Sequence, residues 1–439
     1  MAENKHTIQE LHQYQALPLS VKIRLTMDRI KGWVEEFGED GCYISFSGGK
    51  DSTVLLDIVR NRCGFKDIHA MFIDVPTQFS ELRNFVEQFE NVDIIKPKIS
   101  FMQVCERYGF PLISKEVSEC VYGAKKYLTS IIESETVLQT DRQTDRQTDR
   151  QTDRQTDRQT STLIAIGTKR FVDKASMLNP SGGGTTTSIV NYEELANLLN
   201  ERMKGRKGGN NQRLAQMLGL LTNNKETPIK ANIPNEDRSA YSQEKYKFFL
   251  DAPFEISNRC CNVMKKEPAH RYSKETGRKA ITAQMTSESR LRTQKWLQNG
   301  CNGFDLKIPV SNPMAFWTEQ DVLLYIKENN LEICSVYGEV VTDYAAMGQV
   351  DNQMSLADFG LFDKERPSLK CTGCARTGCM LCGFGCHLEK EEDSRFLMLK
   401  ETHPGMYNLL DVVKNNGVTF REAMEWTNEH LTGRGHIYF

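Results

Sequence analysis

The sequence predicts an α/β fold: a parallel twisted sheet with flanking helices, carrying a low-complexity insertion, expected to be largely disordered, and a cysteine-rich C-terminal region. Three observations predict it. A β-branched and aromatic run, CYISF, meets glycines and passes into the helical pattern TVLLDIVRNRC. Two more strand patterns, HAMFIDVP and VDIIKP, alternate with the helical FSELRNFVEQF. Five cysteines then crowd into residues 371–386, after a long polar interruption. Strands that alternate with helices need crossover connections, and crossovers make neighbouring strands parallel.

Taken in order, residues 8–37 read as helical, because Leu11, Leu17, Val21, Ile23, Leu25, Met27, Ile30 and Trp33 recur at three- and four-residue spacing. The strand, glycine turn and helix of 42–63 follow, then the two further strands. Residues 1–132 are therefore expected to form the N-terminal part of the α/β domain, with an insertion at 133–245. Within it, 139–160 is QTDR repeated five times plus one more QT. With no apolar residue it cannot bury enough surface to offset chain entropy. One codon set, CAG-ACA-GAC-AGA, would make the unit a tandem CAGA repeat, so a slippage-prone tract is expected; mixed synonymous codons across it would contradict that. NPSGGGTTTS (179–188) reads as a loop, GRKGGNNQR (205–213) as a basic linker, and part of 191–221 as helix. Residues 246–345 are expected to complete the α/β domain. There RKAITAQMTSESRLRTQKW reads as strand, loop and helix, and FWTEQDVLLYIKENN as an amphipathic helix capped by Thr318, with Asp321 three residues on. Residues 346–439 form the cysteine-rich segment and a helical tail.

Composition narrows the function. The chain has 439 residues, with 56 Lys+Arg against 58 Asp+Glu and a net charge of −2. Such neutrality argues against a strong nonspecific hold on nucleic acid, leaving only local basic patches for that role. No apolar run approaches the roughly 18–20 residues of a membrane span, and the polar start MAENKHTIQELHQY lacks a signal-peptide core. A cytoplasmic protein is expected. Thirteen cysteines in such a chain point to metal or redox use rather than a disulfide framework.

SFSGGKDS (45–52) carries the strongest chemical signal. A turn between a strand and a helix N-terminus favours an anion, through backbone N–H groups and the helix dipole. Gly48 and Gly49 let the main chain approach phosphate, Lys50 supplies positive charge, and Ser47 and Ser52 can donate hydroxyl hydrogen bonds. The Walker A spacing is absent, and Lys50 is followed by Asp51.

This string resembles the pyrophosphate loop of the adenine-nucleotide α-hydrolase superfamily, and specifically that of the phosphoadenylyl-sulfate (PAPS) reductase family. FIDVPTQFSELRNFV resembles that family's second strand and following loop, with Asp74 ending the strand and Phe79 and Glu81 opening the helix. VDIIKPKISFMQVCERYGFPLISK resembles the next stretch, TSESRLR its Glu-Ser-x-x-Arg loop, and NPMAFWTEQDVLLYI its Trp-Thr-x-x-Asp-Val helix. The resemblance covers roughly 30–130 and 245–390. It implies a nucleotide held by Ser45, Ser47, Gly48, Gly49, Lys50, Asp51, Ser52, Asp74 and Arg292, with Lys50, Asp51 and Arg290 catalytic. The ligand implied is ATP, with Mg²⁺, or a sulfonucleotide (PAPS or adenylyl sulfate).

The five cysteines Cys371, Cys374, Cys379, Cys382 and Cys386 are separated by glycines suited to a tight loop around a metal. Thiolates select zinc or iron–sulfur clusters, and only four residues between the two pairs would strain a single zinc knuckle. The NRCCNVMKKEP segment with the downstream GCMLC resembles the adenylyl-sulfate reductase branch. That implies one [4Fe–4S] cluster on Cys260, Cys261, Cys379 and Cys382, near Lys265 or Lys266, with zinc the alternative. Sulfonucleotide reductases carry a C-terminal Glu-Cys-Gly-Leu-His motif; here the last cysteine is Cys386. Cys371, Cys374 and Cys386 are then left for redox work, sulfur carriage or a second metal. The expected function is a family enzyme acting on ATP or a sulfonucleotide, by sulfur transfer or reduction, with a thiol or electron donor protein as partner. The other reading is a nucleotide-sensing regulatory module in a mobile-element or defence setting, its metal site structural.

Overall fold

The computed structural model describes residues 4–127, 199–200, 209–221, 233, 236–237, 239, 242–343 and 368–439. The QTDR tract and the 179–188 loop lie outside them. The chain divides into two compact units, Met1–Phe101 with Cys261–Leu381, and Met102–Cys260 with Cys382–Phe439. No described helix is long and apolar enough to cross a membrane.

Among the described residues the strands, in chain order, are β1 Cys42–Ser45, β2 His69–Ile73, β3 Val92–Ile95, β4 Leu112–Ile113, β5 Lys279–Ile281, β6 Asn302–Gly303, β7 Val310–Ser311, β8 Val340–Thr342, β9 Leu369–Cys371, β10 Gly383–Phe384, β11 Lys414–Asn415 and β12 Val418–Thr419. In the first unit they form a six-stranded sheet in the order β3-β2-β1-β5-β7-β6. Its pairs are parallel except β6 with β7. The expected parallel α/β sheet is thus present, with one antiparallel edge. Chain order runs outward from β1 through β2 to β3, then resumes on β1's other side with β5. Ligands of open α/β sheets bind at such a reversal, outside the carboxyl ends of the strands.

The helical stretch 8–37 is two helices, α1 Ile8–Gln15 and α2 Leu19–Phe37. Pro18 lacks an N–H and disfavours helical backbone at the residue before it, so the break falls there. The helix after the glycine turn, α3 Lys50–Asp57, widens into a π-helical turn at Ile58–Arg62. α4 spans Ser80–Val86. The core packs Trp33, Ile44, Phe46, Val54, Phe72 and Trp317 around β1 and α3, all nearly inaccessible. Thr318 caps the helix Glu319–Glu328 in a capping box with Asp321, as the sequence predicts. Asp321 Oδ2 also accepts from the buried Lys22 Nζ at 2.6 Å. Loss of Lys22 alone would leave that carboxylate unpaired, at a cost of about 3–5 kcal/mol. This buried pair fixes the helix start, and with it Glu319.

In the second unit, β4 pairs in parallel with β10, and Phe110 bridges Ile256. Phe110 stacks on Phe420 at 4.8 Å, and Phe254 meets Trp426 edge-on at 5.4 Å. Asn415 staples this core: its Nδ2 donates to the carbonyls of Cys105 and Glu106, while its Oδ1 accepts from Glu255 N–H. The helix Asn210–Met217 lies within the 191–221 stretch expected to contain one.

Candidate functional site

The carboxyl end of β1 leads through Phe46 and Ser47 into the glycine turn. Gly48 has φ +71°, the left-handed region that penalises a side chain. A Cβ there would also lie 2.9 Å from Val86 Cγ2 and 3.2 Å from the Leu82 carbonyl oxygen. Gly49, the residue capping α3, would place a Cβ 3.0 Å from the Tyr337 hydroxyl and 3.2 Å from Ser47 Oγ. The turn is bonded to itself. Ser47 N–H donates to Ser52 Oγ at 3.2 Å, and Gly49 N–H to Ser47 Oγ at 3.3 Å. The Ser52 and Thr53 hydroxyls donate to the Gly49 carbonyl at 2.9 and 3.1 Å. Gly49 has no side chain to cap α3, and an anion can take first-turn N–H groups that a capping side chain would otherwise hold. Ser47 is exposed beside them, and Ser45 is half-buried at the strand's end.

Lys50 is only 3% exposed. Its Nζ donates to the Ala375 carbonyl at 2.9 Å, pairs with Glu319 Oε1 at 3.1 Å, and stands 3.9 Å from Asp51 Oδ1. The Tyr337 ring lies beneath it, 5.5 Å from Nζ to the centroid. Asp51 Oδ1 is buried with no hydrogen-bond partner. Burial raises the Asp51 carboxyl above its usual range; Lys50 opposes the shift and Glu319 adds to it.

The loop after β5 supplies the arginines. Ser289 caps the helix Arg290–Asn299, its Oγ accepting from Arg292 N–H. Arg290 is exposed, whereas Arg292 is half-buried and ion-paired with Glu288. Burial and the neighbouring Arg376 lower the Arg292 guanidinium's pKa, against the pull of Asp51. Asp74, at the end of β2, bonds Arg83 Nη1 at 2.8 Å with Lys96 Nζ 3.9 Å away. Its carboxylate is thus engaged by two cations of its own unit.

Sequence reasoning did not anticipate the strap formed by residues 371–380. Gly373 N–H donates to the Tyr337 carbonyl, Cys374 N–H to the Val336 carbonyl, and Met380 N–H to the Thr77 carbonyl, at 2.9, 2.8 and 2.7 Å. Thr377 Oγ1 lies 2.6 Å from the Tyr337 hydroxyl. Burial pushes the Tyr337 hydroxyl up to about 12. Half of the cysteine-rich segment is therefore a wall beside the glycine turn. Glu319, Tyr337, Ala375, Arg376 and Thr377 join the site, and of these only Glu319 had a local signal, the adjoining capping box.

None of the thirteen cysteines, all among the described residues, is in a disulfide. Cys261 and Cys379 belong to the first unit, Cys260 and Cys382 to the second. Among the described residues, no group of three or more His, Cys, Asp or Glu side chains is placed to hold a metal ion. Cys386 is buried and its Sγ contacts the Cys382 carbonyl oxygen at 3.3 Å; burial raises its thiol's pKa. Cys371 is half-buried, its thiol raised by burial against the opposing field of Lys50.

The profile of the phosphoadenosine phosphosulfate reductase domain family matches residues 41–160 and 216–383, more than half of the chain. Among solved structures, the phosphate complex of phosphoadenylyl-sulfate (PAPS) reductase from Candida auris is 11% identical, with a TM-score of 0.29. That alignment covers 76% of this chain and 92% of the other. No curated protein matches.

Proposed function

This chain belongs to the phosphoadenosine phosphosulfate reductase domain family, and from that membership and the site's geometry we propose an enzyme that binds an adenine sulfonucleotide and reduces its sulfonyl group. One observation carries the reading. A glycine turn with an uncapped helix N-terminus and a buried lysine stands at the reversal point of a parallel sheet. On this reading the phosphate rests on the N–H groups of the turn. Lys50 exchanges the Ala375 carbonyl for a phosphate oxygen, and Glu319 keeps its ammonium aimed at the turn. Arg292, at the mouth of the neighbouring loop, takes a second anionic group. As the sulfur–oxygen bond breaks, negative charge gathers on the departing phosphate. Lys50 and the turn donors are already oriented to offset it, which is how preorganised groups lower a barrier.

The electrons come from a dithiol donor, which becomes a disulfide while sulfite and the nucleoside phosphate leave. ATP-dependent sulfur transfer is the other chemistry open to such a loop. The [4Fe–4S] cluster on Cys260, Cys261, Cys379 and Cys382 is a separate proposal that rests on the sequence resemblance. Stoichiometric iron and sulfide after anaerobic purification would support it, and iron-free protein would remove it.

The test is turnover by the full-length protein. Incubated with PAPS and a dithiol, it is expected to release sulfite. Pyrophosphate release from ATP without sulfite from PAPS would replace reduction with adenylation. Binding without either product would make the chain a nucleotide-sensing module.

A further inference from the structure

Counting hydroxyl hydrogens around Gly49 separates the turn from the strap. Within the turn, the Ser52 and Thr53 hydroxyls each donate to the Gly49 carbonyl, at 2.9 and 3.1 Å. Ser52 has then spent its hydrogen, so the 3.1 Å contact between Ser47 Oγ and Ser52 Oγ uses the hydrogen of Ser47. All three hydroxyls of the turn are therefore engaged inside it, with no hydrogen left over for a ligand.

The two hydroxyls above Gly49 are different. Tyr337 Oη and Thr377 Oγ1 lie 2.6 Å apart and share one hydrogen bond. Two hydroxyls carry two hydrogens, so whichever donates, one hydrogen has no acceptor among the described residues. Tyr337 keeps its hydrogen at neutral pH, because burial pushes the hydroxyl up to about 12. Both oxygens stand over the residue that caps α3, 3.0 and 3.5 Å from where a Gly49 Cβ would be. The Tyr337 ring is buried beneath Lys50 Nζ, while Thr377 is only half-buried. A spare O–H beside a lysine and a helix N-terminus suits a partner that accepts without donating, which describes an oxygen of phosphate or sulfate. We propose that the Tyr337–Thr377 pair donates this hydrogen to the nucleotide phosphate seated on the turn, so that strap and turn hold the same oxyanion. The assignment rests on the nucleotide reading proposed above and adds to it a ligand group from outside the glycine turn.

Calorimetric titration of the full-length protein with PAPS tests the pair through Tyr337→Phe, Thr377→Val and the two together. Each single change breaks the bond between the hydroxyls but leaves one of them to serve the phosphate, so affinity should fall less than twofold. The double variant has no donor left and should bind about tenfold more weakly, the usual worth of a hydrogen bond to a charged group. In the Tyr337→Phe background, Thr377→Ser keeps a hydroxyl and should hold affinity at the Tyr337→Phe value. A strap that needed only its anchor would lose tenfold in either single variant, because the anchoring bond is absent from both. That outcome, or a double loss no greater than the product of the single losses, would overturn the proposal. Should the double variant fail to fold, Tyr337→Phe with Thr377→Ala, which also lacks both hydroxyls, takes its place. Failure of the parent chain to bind PAPS would instead overturn the nucleotide reading, and this donor with it.

Discussion

The glycine turn and the strap meet at Lys50, but they are held in place by opposite means. The turn is bonded within itself: Ser47, Gly49, Ser52 and Thr53 satisfy one another across five residues or fewer. The strap is bonded to residues far off in the chain. Ala375 meets Lys50 across 325 positions, Thr377 meets Tyr337 across 40, and Met380 reaches Thr77. A locally closed turn keeps its shape whatever covers it, whereas a strap held by a few distant contacts can exchange them for a ligand. The difference suits the proposed arrangement, a rigid phosphate seat beside an adaptable wall.

The largest expected effect breaks the seat at its charge. Lys50→Ala should weaken nucleotide binding by 10- to 100-fold, about 1.5–3 kcal/mol, the usual worth of a charge-assisted hydrogen bond. Calorimetric titration reads it, and undiminished affinity would mean that the ligand sits elsewhere. Gly48→Ala tests the seat's shape. The left-handed backbone costs a side chain about 1–2 kcal/mol, and the approach of Val86 adds to that. Denaturant unfolding should show the loss, and titration a fall in affinity of about tenfold. A fully stable Gly48→Ala protein would show that the turn relaxes more freely than its bonding implies.

The strap should respond more weakly. Thr377→Val removes the Thr377 hydrogen bond from the Tyr337 hydroxyl and should cost about 1 kcal/mol of unfolding free energy. If the strap is the adaptable wall, nucleotide affinity should change by less than it does for Gly48→Ala. The reverse ranking would make the strap the rigid part. The smallest effect is on pH. Burial raises the Asp51 carboxyl, so its contribution to stability is present below the unfolded pKa of about 4 and lost as pH rises through the higher folded value. Ionised Asp51 also repels an incoming phosphate, so affinity should fall severalfold across that window. Asp51→Asn should flatten the profile; an unchanged slope would assign it to another group.

The same contrast governs how much was legible in the sequence. The strand, turn and helix of 42–57 follow local rules, namely a β-branched run, a glycine with positive φ and an apolar helical pattern, so this strand–turn–helix unit could be read from the sequence. The capping box at Thr318 and Asp321 was legible for the same reason. Pro18 gave a local signal as well, although the apolar periodicity across it reads as one helical stretch. The strap could not be read, because nothing near Ala375 or Thr377 encodes contact with Lys50 or Tyr337. The cysteine spacing there points to metal and carries no signal of these contacts. Asp74 shows the same limit: its place at a strand end was visible, but its engagement by Arg83 and Lys96 was not.

Hydrogen–deuterium exchange of the full-length protein, with and without PAPS, tests the central claim most directly. Amides of 47–53 should be protected on binding, more strongly than any other segment of the first unit, with 373–377 following. Nucleotide that binds but leaves 47–53 exchanging at the unliganded rate would contradict the account.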